Sequence, residues 1–184
     1  MSPDTSASIT AETLIDFLVT APLFRALSSD ELAEVAGVLE VLEIPEGYKL
    51  FDEGEEGDAW YVVYSGELVV TKNMPGGPTH DLARLERGDC FGEMALLDDS
   101  PRTAAVTADA PAIVLRFHRD GFNQLLETER LSAFKLVHAM SKVLCQRQRE
   151  VTQILADIVD DPVGRPEATP ESVVSLLWSP AVWE

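Results

Sequence analysis

One segment of the sequence, residues 91–106, contains residue types that together could bind an anion. Gly92 permits close approach of the backbone, and residues 93–97 can form a single helical turn whose first amides are free. Pro101 then stiffens the chain and places Arg102 directly before a predicted strand. A guanidinium that faces helix-start amides across a short loop can hold a phosphate with two hydrogen bonds. The segment therefore predicts a small phosphate site.

Glu93 is an unusual neighbour for a bound phosphate, because it carries the same sign of charge. Its position makes sense if the carboxylate accepts hydrogen bonds from hydroxyl groups such as those of a ribose. Two simpler interpretations stay open. Glu93 could be a helix N-terminal acid that complements the helix dipole, and Arg102 could form an ordinary ion pair with Asp98 or Asp99.

Short strands separated by turns surround this segment. Between about residues 40 and 116 the hydrophobic period is two, and turn residues recur about every 8–12 positions. Many short strands at this spacing predict a sandwich or barrel. The predicted strands are residues 41–44, 48–51, 60–64, 67–71, 82–85, 103–108 and 112–117.

Helical patterns lie on both sides of the strands. Residues 10–40 have helical spacing that begins near Thr10, breaks at Pro22 and restarts at Ser28. From Asp120 to about residue 156 the period is helical again, with a break near Glu129.

The second helical stretch has a half-polar heptad pattern. One position contains Val137, Leu144, Val151 and Ile158, and its companion contains Ser141, Gln148 and Leu155. A long amphipathic helix packed on its own barrel and a helical seam between two subunits both account for this pattern, so a homodimer is one expectation.

Two motifs in the right order make the sequence resemble the cyclic nucleotide-binding domain family. The cassette F-G-E-x-A-L, a short spacer and P-R-x-A-x-V occupy residues 91–106. The upstream pattern E-G-E-x-G-D-x-x-Y-x-V-x-x-G occupies residues 53–66, and Asp89 also fits. The resemblance covers residues 23–155.

The resemblance implies an α+β fold: a β-roll or jelly-roll barrel of about eight antiparallel strands, flanked by N-terminal helices and a long C-terminal helix. We expect an N-terminal helical lead at residues 1–21 and the binding domain with its C-terminal helices at 22–156. Residues 157–184 are then an acidic, proline-containing tail with an apolar end that includes Trp178 and Trp183.

The resemblance also implies a ligand, cAMP or cGMP, and a role for each cassette residue. Arg102 pairs with the cyclic phosphate, and Glu93 accepts a hydrogen bond from the ribose 2′-hydroxyl. The remaining ligand-binding positions are Phe91, Gly92, Met94, Ala95, Thr103 and Ala104. Val70 and Leu82 would form the wall of the pocket for the nucleobase, and Arg147 and Gln148 are possible caps over the nucleobase. The hydroxyl of Thr103 slightly favours a site that also accepts cGMP.

Composition limits the partners. The 14 Lys and Arg residues against 32 Asp and Glu give a net charge of −18, which argues against a nucleic-acid partner and against anionic membrane surfaces.

Other classes of site and location are limited by single residue types. Cys90 and Cys145 form no disulfide framework, and no apolar run approaches the ~18 residues of a membrane span. We expect no metal site, because His80, His118 and His138 lie on unrelated predicted elements. The expected location is the cytoplasm.

The sequence thus favours a non-enzymatic cyclic-nucleotide receptor that acts on a protein partner through the helices after the barrel. No helix-turn-helix, kinase, channel or cyclase module is recognised, so we expect a receiver without an attached output. The main alternative is a ligand-independent scaffold that uses the same fold for protein contact. An enzyme and a redox sensor at Cys90 are weaker alternatives.

Overall fold

The protein is described by a computed structural model that covers residues 9–73 and 77–160, with the backbone alone for residues 150–151, 154–155 and 157–160. Within that part of the chain, two four-stranded sheets form the centre and five α-helices surround them. The tail that follows, including its apolar end at residues 173–183, lies outside the described residues.

The N-terminal helices begin at residues whose side chains satisfy free backbone amides. α1 (Ala11–Thr20) is capped by Thr10, which exchanges hydrogen bonds with Thr13. A 3₁₀ turn at Pro22–Phe24 follows, and α2 (Ser29–Ala36) is capped reciprocally by Ser28 and Glu31. Caps of this kind contribute about 1 kcal/mol each. The break at Pro22 and the restart at Ser28 agree with the sequence pattern.

Eight strands make up the sheets, which confirms the predicted barrel of about eight antiparallel strands. The first sheet has the order β1-β8-β3-β6 and the second has the order β2-β7-β4-β5, and all pairings are antiparallel. The strands are β1 (Leu39–Ile44), β2 (Lys49–Phe51), β3 (Ala59–Ser65), β4 (Leu68–Asn73), β5 (Thr79–Leu85), β6 (Cys90–Phe91), β7 (Ala105–Ala108) and β8 (Ala112–His118).

Strand β3 is buried on both faces and separates two apolar clusters. Trp60 and Val62 pack on the helical side, in a cluster that includes Phe24 and Phe117. The alternate residue Tyr61 faces the space between the sheets. This period of two follows from strand geometry, and it places the first sheet between a helical layer and the barrel interior.

The helices after the barrel pack against the helical layer. α4 (Arg119–Glu127) and α5 (Leu131–Asp160) are separated by a turn in which Glu129 has φ +54°, as the predicted break near Glu129 requires. Ala133, Leu136 and Met140 of α5 are buried in the helical-side cluster. The first turns of α5 therefore pack on their own domain. The heptad residues Val151, Leu155 and Ile158 have side chains outside the described set, so the dimer seam stays a prediction.

α5 continues to Asp160, four residues past the boundary expected at residue 156. The division into residues 1–21, 22–156 and 157–184 otherwise stays a prediction. Among the described helices, none is long and apolar enough to cross a membrane.

Candidate functional site

The site is built around a short helix that follows strand β6. α3 (Glu93–Asp98) begins after Gly92, which has φ +74°. A Cβ atom at Gly92 would lie 2.6 Å from Nη1 of Arg102, so only glycine allows the guanidinium to approach this closely. Within the described residues no side chain caps the start of α3.

Arg102 is almost fully buried, with 4% of its surface exposed. Its Nη1 donates to the carbonyl of Gly92 at 2.9 Å, and its Nη2 donates to the carbonyl of Ala59 at 2.7 Å. The guanidinium carbon lies 4.2 Å from the ring centre of Phe51, which is within cation–π range. Burial lowers the pKa of the Arg102 guanidinium, whereas Tyr61 and the Asp58 carboxylate act in the opposite direction.

The alternative interpretation of Arg102 as a partner of Asp98 or Asp99 is wrong. Asp98 accepts hydrogen bonds from Ser100, and Asp99 pairs with Arg119. The carboxylate nearest to Arg102 is that of Asp58, 3.9 Å from Nη2. Arg102 is therefore oriented chiefly by main-chain carbonyls.

Glu93 is the first residue of α3 and is 3% exposed. Its Oε1 accepts a hydrogen bond from Nη1 of Arg147 at 2.6 Å, across 54 residues of sequence. Arg147 lies on α5 and also donates to the carbonyl of Cys90 at 3.1 Å. The carboxylate predicted to meet a ribose is thus held in a buried ion pair with the long helix. Arg147, predicted as a possible cap over the base, pairs with Glu93 in the structure, and its role as a cap stays a prediction.

A partly open cavity brings most of the predicted site residues together; its empty space of about 410 Å³ includes open solvent. Nine of them line it: Val70, Phe91, Gly92, Glu93, Met94, Ala95, Arg102, Thr103 and Ala104. Leu82 does not line the cavity; it is half-buried and packs against the apolar cluster between the sheets. Gln148 has an exposed side chain on α5 and is also absent from the lining.

Two lining residues, Phe51 and Val106, are missing from the sequence-based prediction. Phe51 ends the short strand β2, and Val106 pairs with it on β7. Inward alternation along each strand was the signal that could have found them. Choosing which inward residues meet the ligand requires knowing how the sheets face each other.

Arg119 is a second residue that sequence reasoning missed. It starts α4, and its guanidinium donates to the carbonyl of Gly57 at 2.6 and 3.1 Å, to the carbonyl of Ala95 in α3 and to Asp99. The side chain therefore connects the loop before β3, the cassette helix and the first helix after the barrel.

Gly57 brings that loop into close contact with the cassette helix. A Cβ atom at this position would lie 2.3 Å from Cβ of Ala95 and 3.2 Å from Cζ of Arg102. The glycine in the upstream motif is thus explained by packing against α3.

The other candidate chemistries find little support in the geometry. Burial raises the pKa of the Cys90 thiol well above its usual value, and the Glu93 carboxylate adds to this effect, so the reactive thiolate is disfavoured. Cys145, by contrast, is exposed. In the part of the chain that is described, no three His, Cys, Asp or Glu residues are grouped so that they could hold a metal ion.

Fold and site together define a β-barrel domain in which residues of the cassette line a cavity. Sequence comparison extends this result, since a model of the family described as "Cyclic nucleotide-binding domain" matches residues 41–129. The crystal structure of the N-terminal domain of a transcriptional regulator from Streptomyces coelicolor is 30% identical, with a TM-score of 0.63. The alignment covers 71% of this chain and 94% of that one. The chain belongs to the cyclic nucleotide-binding domain family.

Curated relatives come from two kinase systems. A cAMP-dependent protein kinase regulatory subunit of Aspergillus niger is 42% identical over 110 residues, which are 60% of this chain and 26% of that protein. A cGMP-dependent protein kinase of Caenorhabditis elegans is 34% identical over 150 residues, 80% of this chain and 19% of that protein. The chain spans about a quarter of the length of the first of these relatives and less of the second. The ligand class of the family is cAMP or cGMP, and the Aspergillus niger relative is a regulatory subunit.

Proposed function

We propose that this chain is a non-enzymatic receptor for cAMP or cGMP that transmits binding to a protein partner through α4 and α5. The observation that carries the proposal is the convergence of Gly92, Glu93 and Arg102 on one cavity. The named ligands of the kinase relatives support the nucleotide class.

Each part of a cyclic nucleotide has a complementary group in this cavity. The phosphate would meet the buried Arg102 and the uncapped start of α3, where charge-assisted hydrogen bonds are strong because water is excluded. The ribose hydroxyl would donate to Glu93. The base would lie against Val70 and Ala104, and Leu82 and Gln148 stay more distant predictions.

The ion pair between Glu93 and Arg147 supplies a route from the cavity to α5. A ribose hydroxyl at Glu93 would share the carboxylate that now holds Arg147. Ligand binding would then change how firmly α5 is held against the cassette. A ligand that interacts differently with two arrangements of a helix shifts the population between them. This is the relay we propose.

A scaffold that binds no nucleotide is the second candidate, and one observation favours it. Both charged groups of the site already have partners inside the protein, since Glu93 binds Arg147 and Arg102 binds two carbonyls. A pocket satisfied in this way gains less from an added ligand.

Calorimetric titration with cAMP and with cGMP separates the two candidates. We expect wild type to bind at least one nucleotide, and Arg102→Ala to lose at least about 30-fold in affinity, because truncating a buried charged partner costs about 2–5 kcal/mol. Arg84→Ala is the matched control, because Arg84 pairs with Glu67 and Asp109 outside the cavity. Absence of both heat and a thermal shift with either nucleotide on folded wild type would contradict the receptor and favour the scaffold.

The relay has its own test in hydrogen exchange of the α5 amides. With saturating nucleotide, we expect faster exchange in the middle of α5 of wild type. Arg147→Ala should show that faster exchange without ligand and a smaller further change on binding. Arg149→Ala is the control, because its exposed side chain contacts Gln146 on the same helix. Identical ligand responses in Arg147→Ala and wild type would remove the relay from the proposal.

Two further expectations complete the proposed function. A homodimer through the distal part of α5 predicts a mass of two chains in light scattering, and one chain at all concentrations would contradict it. A cytoplasmic location is expected from the sequence and is tested by fractionation of cells that express the chain.

A further inference from the structure

An open groove is lined by residues of β1 and β2, the edge strands of the two sheets, and its empty space of about 1180 Å³ includes open solvent. β1 ends the first sheet and β2 ends the second, and each pairs with one neighbour among the described strands. Leu42, Ile44 and Leu50 form the apolar part of the groove. An unpaired strand edge beside apolar side chains is a surface to which an extended peptide can add as a further strand.

The groove has more acidic than basic residues. Its lining includes four carboxylates, of Glu43, Glu55, Glu56 and Asp58, and two guanidinium groups, of Arg102 and Arg116, a net charge of −2. The segment of residues 39–58, which contains β1 and β2, has a net charge of −7. Glu43, Glu55 and Glu56 line the groove, are exposed and form no ion pair with other described residues. Unpaired carboxylates in such density repel each other, and a cationic partner would relieve that repulsion.

The acidic residues of the groove determine which kind of partner can bind there. A second copy of this chain would bring another −7 to the same place, and the chain's own residues 161–184 contain four acidic residues and one Arg. Nucleic acid and anionic lipid are repelled for the same reason. We propose that the groove binds an extended segment of a partner protein in which Lys or Arg alternates with aliphatic residues, paired with the free edge of β1.

Alternation follows from the geometry of the strand. Side chains of an added strand point alternately to its two faces. Aliphatic residues would cover Leu42, Ile44 and Leu50, and the basic residues would reach Glu43, Glu55 and Glu56. β1 has six residues, so a matching segment spans about 20 Å. Phe51 and Arg102 line both the groove and the nucleotide cavity, whereas the contacts proposed for the peptide are those with β1 and with Glu43, Glu55 and Glu56.

The test is fluorescence polarisation with a labelled peptide of about eight residues in which Lys and Val alternate. We expect binding to wild type in the absence of nucleotide. The triple variant Glu43→Lys, Glu55→Lys, Glu56→Lys should bind at least about tenfold more weakly, because it places like charges against the peptide. The control variant Glu12→Lys, Asp16→Lys, Glu127→Lys has the same net charge, changes exposed residues on the helical side, and should stay within about twofold of wild type. Equal weakening in both variants would overturn the proposal in favour of general attraction to an acidic surface.

Strand pairing is tested with two N-methylated versions of the peptide, one at odd and one at even residues. Methylation removes the amide donors on one side of an extended chain. We expect one version to lose binding and the other to bind like the parent. Equal binding by both versions would exclude pairing with β1. Thermal melting of each protein variant checks that it is folded, and a wild type that binds no peptide also refutes the proposal, whatever the nucleotide titration gives.

Discussion

The two faces of the first sheet differ in how they are completed. On the helical side, Trp60 is fully buried and stacks on Phe117 with 4.0 Å between ring centres. On the barrel side, Tyr61 stacks on Phe91, but the next partner is the guanidinium of Arg102 over Phe51. One face is closed by apolar packing, and the other is closed around a buried charge and a cavity. A single strand, β3, therefore has a tightly packed apolar cluster on one face and the side of the sheet that contains the cavity on the other.

The largest expected effect is the loss of an aromatic residue from the tightly packed face. Phe117→Ala should lower the free energy of unfolding by about 3–5 kcal/mol, because it leaves a cavity among rings that cannot collapse. Phe51→Ala, on the barrel side, should cost less, since Phe51 already borders the cavity and the groove. Urea denaturation of both variants measures the difference. Equal losses would contradict the contrast between the faces.

The second prediction concerns the contact between Gly57 and α3. Gly57→Ala should destabilise the protein by about 1–3 kcal/mol, because the new methyl group overlaps Ala95. The double variant Gly57→Ala, Ala95→Gly removes the overlap. It should recover part of the loss, although glycine in a helix costs about 1 kcal/mol. Additive losses in denaturation of the single and double variants would show that the overlap is not the cause.

A smaller effect is expected where α1 is attached to the barrel. The Arg87 guanidinium lies 4.6 Å from the ring centre of Phe17 on α1 and 4.9 Å from that of Tyr64 on β3. Arg87→Ala should cost about 0.5–1 kcal/mol and speed hydrogen exchange in α1. Arg87→Lys keeps the charge and should have the smaller effect. Unchanged exchange of α1 in Arg87→Ala would assign the attachment to apolar packing alone.

The smallest effect is a pH dependence at the contact between α2 and α5. The pKa of Glu31 is lowered from 4.5, first by its hydrogen bond with Lys135 and then by the Ser28 amide. The pKa of Glu31 is lower in the folded state than in the unfolded state. The stabilisation by the ionised carboxylate is therefore complete above about pH 4.5, and it disappears as the pH falls through the folded-state pKa.

Glu31→Gln should therefore be slightly less stable than wild type near neutral pH and indistinguishable from it in acid. Asp30→Asn is the control, as Asp30 is an exposed acid on the same helix. Urea midpoints of the three proteins at both pH values measure the effect. A Glu31→Gln deficit that persists in acid would assign it to something other than ionisation.

The fold and the cassette were predictable because their signals are local. Turn residues between short alternating runs predict the strands, and residues 91–106 carry the Gly, Glu and Arg of the site in one stretch. β6 has only two residues, too few for any period to be recognised.

Contacts between distant segments could not be predicted in the same way. The pairing of Glu93 with Arg147 depends on where α5 crosses the cassette. Arg119 contacts the carbonyls of Gly57 and Ala95 and the carboxylate of Asp99. These contacts depend on how a loop 62 residues away and the cassette helix α3 pack against the start of α4. Leu82 has the right residue type for a pocket wall, and only the register of β5 places it outside the cavity.

The two cysteines have a practical consequence for following the proposed relay. Cys145 is exposed on α5, two residues before Arg147, whereas the Cys90 thiol is buried and has a raised pKa. Thiol reagents react with the accessible thiolate, so a maleimide fluorophore should label the native protein at Cys145 alone. The unmodified sequence thus offers a single attachment point for an optical reporter on α5, the helix that carries Arg147, without cysteine engineering.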